Sequence, residues 1–431
     1  MRYYSLNKQS PSVDFREATL KGQAPDKGLY FPEQIPMHEK AFIEQLRSFS
    51  KEEIAFRIMK PFVGNTIPDD VLLRIVTETV AFPFPLHPIH ESIASLELYH
   101  GPTFAFKDVG ARFMSRCLSY FSRNTDTVTT ILVATSGDTG GAVANGFLGV
   151  EGIEVVILYP AGKVSPVQEL QLTTCGSNIT ALEIEGSFDD CQALVKEAFM
   201  DAEITASMNL SSANSINVAR WLSQQIYYFL AHQQWADDLP PVIAVPSGNF
   251  GNLCAGLMAH KTGLPVQHFI AACNVNDTVP AYLRTRDYQV KPSVSTLSNA
   301  MDVGNPSNFI RIMELMNQDY DSLQAMISGY TINDETTLAT IQKVYQQYGY
   351  LLDPHGAVAY AALRQYQQEN KNGRGYILET AHPVKFPDAV KTATGQEAPI
   401  PPAAMELFGK QKRSIPMQKE YASFKEYLLS R

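Results

Sequence analysis

Cysteine is scarce in this chain of 431 residues. The five present, Cys117, Cys175, Cys191, Cys254 and Cys273, are odd in number and widely spaced, and they form no C-x-x-C pair. A disulfide framework or a thiolate metal site is therefore not expected, and a reducing compartment fits. No apolar run approaches the roughly 18 residues of a membrane helix. The segment from Met1 to Ser10 holds neither a hydrophobic signal core nor an arginine-rich leader, so a cytoplasmic location is the expectation. Basic charge is also in deficit: 35 Lys and Arg against 44 Asp and Glu leave a net charge of −9. That balance argues against non-specific binding to nucleic acid or to an anionic membrane, both of which need a basic face. No metal-ligand cluster, dinucleotide fingerprint, P-loop, internal repeat or long low-complexity tract stands out.

What is present is ordinary globular composition, 45% hydrophobic and 18% charged. The length suits two or three packed units. Residues 1–95 carry helical periodicity at 39–49 and 67–81 and close on Phe82-Pro83-Phe84-Pro85 and Pro88. This part reads as an accessory, mainly helical domain. From Ser95 onward apolar runs alternate with helical patterns. Strand-like runs at 128–134 and Val242–Pro246 each lead into a glycine-rich loop, a helix and a further strand. Two separate β–loop–α–β units predict an α/β protein with two parallel-sheet domains and right-handed crossovers. The expected divisions are 96–235 for the first α/β domain, 236–395 for the second and 396–431 for a C-terminal arm. Ligands in such folds bind at the carboxyl ends of strands, so both glycine-rich loops should face one cleft.

Lys107 lies in the aromatic segment Gly101-Pro-Thr-Phe-Ala-Phe-Lys-Asp108, just before the apolar positions Val109, Phe113, Cys117 and Phe121 of a helix. Only a lysine forms a reversible Schiff base with an aldehyde cofactor, and burial beside aromatics lowers its pKa toward the neutral amine that this needs. In Ser247-Gly-Asn-Phe-Gly-Asn252, Gly248 and Gly251 let the backbone approach an anion at a helix start, with Ser247, Asn249 and Asn252 as added donors. A tight connection that binds nothing is the alternative. Thr135, Ser136, Gly137, Asp138 and Thr139 form a second nest, suited to a small carboxylate. Asp138 reads equally as a helix cap or as an active-site group. Asn214, Ser215 and Asn217 open a helix expected to run to about His232. Arg220 on that helix offers a fork for phosphate, against the alternative of a solvated arginine. Thr380 should stand at the end of a strand over 375–378. His382 with Lys385, and Asp353-Pro-His355-Gly, read as turns, with Lys385 on the surface.

Together these segments resemble the fold type II pyridoxal-phosphate enzymes, most closely the threonine synthases. The motifs Asn274-Val-Asn-Asp-Thr278, Ser298-Asn-Ala-Met-Asp302 and Glu379-Thr-Ala-His-Pro383 add to the resemblance, which spans nearly the whole chain. It implies pyridoxal 5'-phosphate held covalently by Lys107, with its phosphate at Ser247, Gly248, Asn249, Phe250, Gly251 and Asn252 and its ring nitrogen at Thr380. It implies a substrate carboxylate on residues 135–139 and a substrate phosphate on Asn214, Ser215 and Arg220. The implied reaction converts O-phospho-L-homoserine and water to L-threonine and phosphate. The alternatives are an eliminating lyase (a hydroxy-amino-acid dehydratase or a phospholyase) or a cofactor-binding relative without catalysis. Many fold type II enzymes place an asparagine in the first loop, against the cofactor's phenolic oxygen. This chain has Asp138 there, which leaves the partner of that oxygen open. Monomer and homodimer are both compatible with the sequence.

Overall fold

Two sheets built from β–α units present the carboxyl ends of their strands to one cleft in the computed structural model, which describes residues 1–123, 128–370 and 373–431. In chain order the strands are β1 (Arg2–Ser5), β2 (Val13–Asp14), β3 (Tyr30–Pro32), β4 (Leu86–His90) and β5 (Ile93–Glu97). The first βα series adds β6 (Thr129–Ala134), β7 (Ile153–Pro160), β8 (Ile179–Glu185) and β9 (Asn209–Ser212). The second adds β10 (Val242–Pro246), β11 (His268–Cys273), β12 (Ile327–Thr331) and β13 (Gly375–Glu379), and β14 (Ile415–Gln418) lies near the C-terminus. One sheet runs β14-β8-β7-β6-β9, all parallel; the other runs β12-β11-β10-β13-β5-β4, parallel except for the β4–β5 hairpin.

The inner strands are apolar without alternation because helices cover both faces. Every residue of β6, β10, β11 and β13 is buried. The edge strands β4, β9, β12 and β14 are each partly exposed. Three of the predicted strands, over 128–134, Ile153–Pro160 and Val242–Pro246, belong to this inner set.

Several expectations need correction. Beside its helices the N-terminal part holds a sheet the sequence did not signal: β1, β2 and β3 pair antiparallel in the order β2-β1-β3. Strands of two to four residues are too short to set up a period-2 pattern. The proline-rich stretch near residue 85 does not lead into a new unit at 95. It runs into β4 and β5, which join the sheet of β10 and β13. Pro88 is tolerated there because β4 is an edge strand. The C-terminal arm adds β14 to the other sheet, and Phe424 and Leu428 of helix Tyr421–Leu429 pack with Leu182 and Ile184. The helix expected from Asn214 to His232 is two helices, Val218–Leu222 and Gln225–Gln234. At the break Ser223 Oγ donates to Ala219 O (2.8 Å) and Gln225 Nε2 to Leu222 O (2.9 Å), so side chains compete for helix carbonyls.

Candidate active site

Lys107 is the first residue of helix Lys107–Phe121, whose predicted stripe of Val109, Phe113, Met114, Cys117, Leu118 and Phe121 is buried. The segment before it is stitched to the loop after β13. Phe106 N donates to Thr380 O (2.9 Å), and His382 N donates to Phe104 O (3.1 Å). The segments of Lys107 and Thr380 are thus held together, although the two residues are 273 positions apart in the chain. Asp108 closes the turn by accepting from Thr103 N (2.9 Å) and Thr103 Oγ1 (2.5 Å). Burial raises its pKa to about 6, opposed by these hydrogen bonds. The Lys107 ammonium lies 5.2 Å from the centroid of Phe106 and 3.7 Å from Asp138 Oδ2. Burial pulls its pKa down to about 8; Asp138 opposes that shift, whereas Lys385 and Arg220 reinforce it. A lysine depressed this far is partly neutral near pH 7.5, the state a nucleophilic amine requires.

The first glycine-rich loop follows β6. Thr135 Oγ1 accepts from Gly137 N (2.9 Å) and Gly140 N (2.8 Å), which curls the loop over the start of helix Asp138–Phe147. Gly137 has φ 132°, and a Cβ there would stand 2.4 Å from Gln168 Cδ. Two readings are corrected at this point. Asp138 does not cap its helix, because Gly137 occupies the cap position and makes no side-chain bond. Lys385 is not on the surface: it is fully buried, and its Nζ lies 2.6 Å from Asp138 Oδ1 and 2.9 Å from Thr103 O. Asp138 Oδ1 also accepts from Gln168 Nε2 (3.0 Å). Burial alone would raise the Asp138 pKa, but Lys385 and then Lys107 hold it well below the usual carboxylate range. The carboxylate is therefore compensated, and its charge does not empty the nest of anions.

The second loop follows β10 and ends at helix Gly251–Lys261. Phe250 takes the left-handed conformation (φ 61°) that turns the chain into the helix, leaving the first helix amides without intrahelical acceptors. A Cβ on Gly248 would stand 2.7 Å from Met301 Cα, so only glycine lets the two backbones pass. Asn252 Oδ1 accepts from Tyr227 and Tyr228 (2.7 Å each), while its Nδ2 is buried without a partner. Ser247 plays a different part from the one expected. Its N–H donates to Ala272 O (2.8 Å) and its hydroxyl to Val245 O (2.8 Å), so it shapes the loop and does not line the cleft.

Arg220 is only 2% exposed, and its Nε and Nη1 have no hydrogen-bond partner. Burial lowers its pKa to about 10, with Asp108 acting against that shift. A buried guanidinium with free donors is costly unless an anion completes it, which rules out the solvated reading. Gly110 makes room for it, since a Cβ there would stand 2.7 Å from Arg220 O. Asn214 Oδ1 is also buried and unpaired. Asn217 caps helix Val218–Leu222 through Ala219 N (3.0 Å). Ser215 lies against the second loop, where a Cβ on Gly251 would stand 3.1 Å from Ser215 Cβ.

One cleft gathers these groups, lined by residues from both glycine-rich loops together with Lys107, Arg220 and Thr380. Of the predicted site residues, Ser247 and Gly137 do not line it; the others do. Sequence reasoning missed Asp302 and His355, which also line it. His355 Nδ1 meets Asp353 Oδ2 (2.5 Å), and its Nε2 accepts from Ala300 N (3.2 Å). Asp353 caps helix Pro354–Glu369, so the Asp-Pro-His turn was visible but its inward histidine was not. The residues fit a phosphorylated aldehyde: a depressed lysine, a backbone cradle that a Cβ would fill, and an unpaired buried amide on a residue that lines the cleft.

Residues 86–378 match the family described as pyridoxal-phosphate dependent enzyme. Residues 2–80 match the threonine synthase N terminus, and residues 356–428 the threonine synthase C-terminal family. The threonine synthase of Escherichia coli (strain K12) is 41% identical over 433 aligned positions, covering 100% of both chains. A crystal structure of threonine synthase from Escherichia coli superposes with a TM-score of 0.94 at 41% identity, covering 100% of each chain. A threonine synthase from Brucella melitensis, solved with pyridoxal phosphate bound, superposes at 0.92 with 37% identity, covering 99% of this chain and 98% of that one.

Proposed function

The chain belongs to the threonine synthase family of pyridoxal-phosphate-dependent enzymes, and from that premise we propose how its cleft divides the work. The activity is that of a pyridoxal-phosphate-dependent lyase converting O-phospho-L-homoserine and water to L-threonine and phosphate. When bound, the cofactor supplies the electron sink that lets protons leave the substrate's α- and β-carbons. Lys107 holds it covalently and, as a free amine, carries protons to and from those carbons. The amides of residues 248–252 and the unpaired Asn252 Nδ2 hold the cofactor phosphate. Thr380 would offer its hydroxyl, an uncharged partner, to the ring nitrogen of the bound cofactor.

The loop of Thr135, Ser136, Gly137, Asp138 and Thr139 receives the substrate carboxylate. Arg220 and Asn214 hold the departing phosphate, with Ser215 at the junction of the two anion sites. Charge-assisted bonds from Arg220 stabilise the leaving group where its charge develops. The observation that carries this reading is the co-location of a depressed lysine, a glycine cradle and an unsatisfied buried arginine in one cleft. The five free cysteines support a cytoplasmic location. No described helix is long and apolar enough to cross a membrane. Incubation of the holoenzyme with O-phospho-L-homoserine tests the proposal. Equal amounts of threonine and phosphate are expected, and phosphate released with a keto acid in place of threonine would make the chain an eliminating lyase.

A further inference from the structure

We propose that Lys385 is a positioning residue for Lys107: by taking Asp138 as its own counter-ion, it leaves Lys107 as the member of the pair that gives up its proton. The inference rests on the assignment of Lys107 as the covalent lysine and adds to it a group outside the cleft.

The geometry around Asp138 is asymmetric. Lys385 Nζ stands 2.6 Å from Oδ1 and also donates to Thr103 O at 2.9 Å. Lys107 Nζ stands 3.7 Å from Oδ2, beyond hydrogen-bond distance. Gln168 Nε2 adds a third contact at 3.0 Å, on the oxygen that Lys385 already engages. Both ammonium groups lie in the interior, where one carboxylate compensates one charge well and two poorly. The lysine with the shorter contact and a second acceptor stays charged, and its charge then opposes protonation of the other.

The groups facing Lys107 come from four elements besides its own helix or act through Asp138. Asp138 comes from helix Asp138–Phe147, Lys385 from the turn Pro383–Lys385, and Arg220 from helix Val218–Leu222. His355, from helix Pro354–Glu369, faces Asp138. Asp108, on the helix of Lys107, is tied to Thr103 and faces Arg220 and Lys385. Lys107 therefore meets two cations and one carboxylate that another lysine has claimed. If Lys385 loses its charge, Asp138 becomes the counter-ion of Lys107, which then holds its proton to higher pH.

A competing account makes Lys385 a bolt that fixes the turn after Thr380 and nothing more. The two accounts separate on the pH dependence with which the apoprotein takes up pyridoxal phosphate covalently, followed by visible absorbance and mapped by borohydride reduction. For Lys385→Met the midpoint should rise by about one pH unit or more, the shift expected when an opposite charge becomes available. Lys385→Arg should return it to within a few tenths of a unit of the wild type. The double variant Lys385→Met/Asp138→Asn should lose the rise, because the carboxylate that caused it is gone. A folded Lys385→Met with the wild-type midpoint, or a rise that persists in the double variant, overturns the proposal. If Lys385→Met does not fold, Lys385→Gln, which keeps a donor for Thr103 O without the charge, must show the same rise. An adduct on a lysine other than Lys107 would overturn the underlying assignment instead, so the two failures are distinguishable.

Discussion

The two glycine-rich loops meet in one cleft but prepare it for anions by opposite means. The 247–252 loop uses neutral donors: helix-start amides, a left-handed Phe250 and the Nδ2 of Asn252, with no charged side chain of its own. The side formed by Lys107, Asp138, Arg220 and Lys385 is charged, and Asp138, Lys385 and Arg220 all bear on the protonation of Lys107. The neutral loop suits a resident phosphate that never leaves. The charged side suits a substrate whose charge must be taken up, moved and released, because its electrostatics shift with each proton.

If that contrast is right, damage to the charged side should abolish chemistry, whereas damage to the neutral side should loosen the cofactor. The largest effect belongs to Lys107→Ala, which removes the covalent anchor and the proton carrier together. Turnover should fall by about 10²–10⁴-fold or more, the range of a positioned acid–base group. Steady-state kinetics at saturating cofactor checks this; turnover within tenfold of wild type would place the chemistry elsewhere.

Arg220→Ala comes next. Loss of a charge-assisted contact worth ~1.5–3 kcal/mol should lower kcat/KM by about one to two decades. The visible cofactor spectrum should stay unchanged. Arg220→Lys should recover only part of the rate, since a point charge lacks the planar fork. Normal turnover by Arg220→Ala would return this residue to a packing role.

On the neutral side, Gly248→Val drives a branched side chain into the backbone at Met301. Cofactor affinity should weaken by an amount set by ~1–3 kcal/mol of overpacking, roughly 5- to 150-fold. Excess pyridoxal phosphate should restore turnover. Equilibrium titration of the apoprotein decides, and unchanged affinity in a folded variant would move the phosphate to another site.

The effect with the least bearing on turnover is on stability. Lys107 titrates near 8 when folded and near the ordinary lysine value of about 10.4 when unfolded. Between those values the unfolded chain holds that proton more than the folded one, so the Lys107 contribution to apoprotein stability should rise with pH across that window, against the opposite slope of the buried cysteines, whose thiol pKa values burial raises. Below about pH 8 both states carry the proton, and the destabilisation is at its full value. Lys107→Met should remove that contribution, and denaturant midpoints of wild type and variant compared from pH 7.5 to 10.5 would show whether it does.

The same contrast explains what the sequence made legible. Buried inner strands such as β6 and β10 are continuous apolar runs bounded by glycine-rich turns, and their loops could be placed without tertiary information. Edge strands such as β4 and β14 lack that signal, and Pro88 argued against a strand until its edge position was known. At the site, Gly248 and Gly251 announced a backbone role that is local in origin. Lys385 and His355 lie in segments that read as surface turns, and only long-range packing turns them inward. The burial of Lys385 depends on Asp138, which is 247 positions away in the chain, and no local pattern encodes that pairing.

Two lysines, Lys385 fully buried and Lys107 lining the cleft, share one carboxylate, and only Lys107 is assigned the chemistry. Reduction of the holoenzyme with borohydride, followed by peptide mapping, tests that assignment most directly. The pyridoxyl group should be found on the peptide that carries Lys107, with Lys385 unmodified. Its recovery on Lys385 or on any other lysine, or the absence of an adduct, would contradict the account.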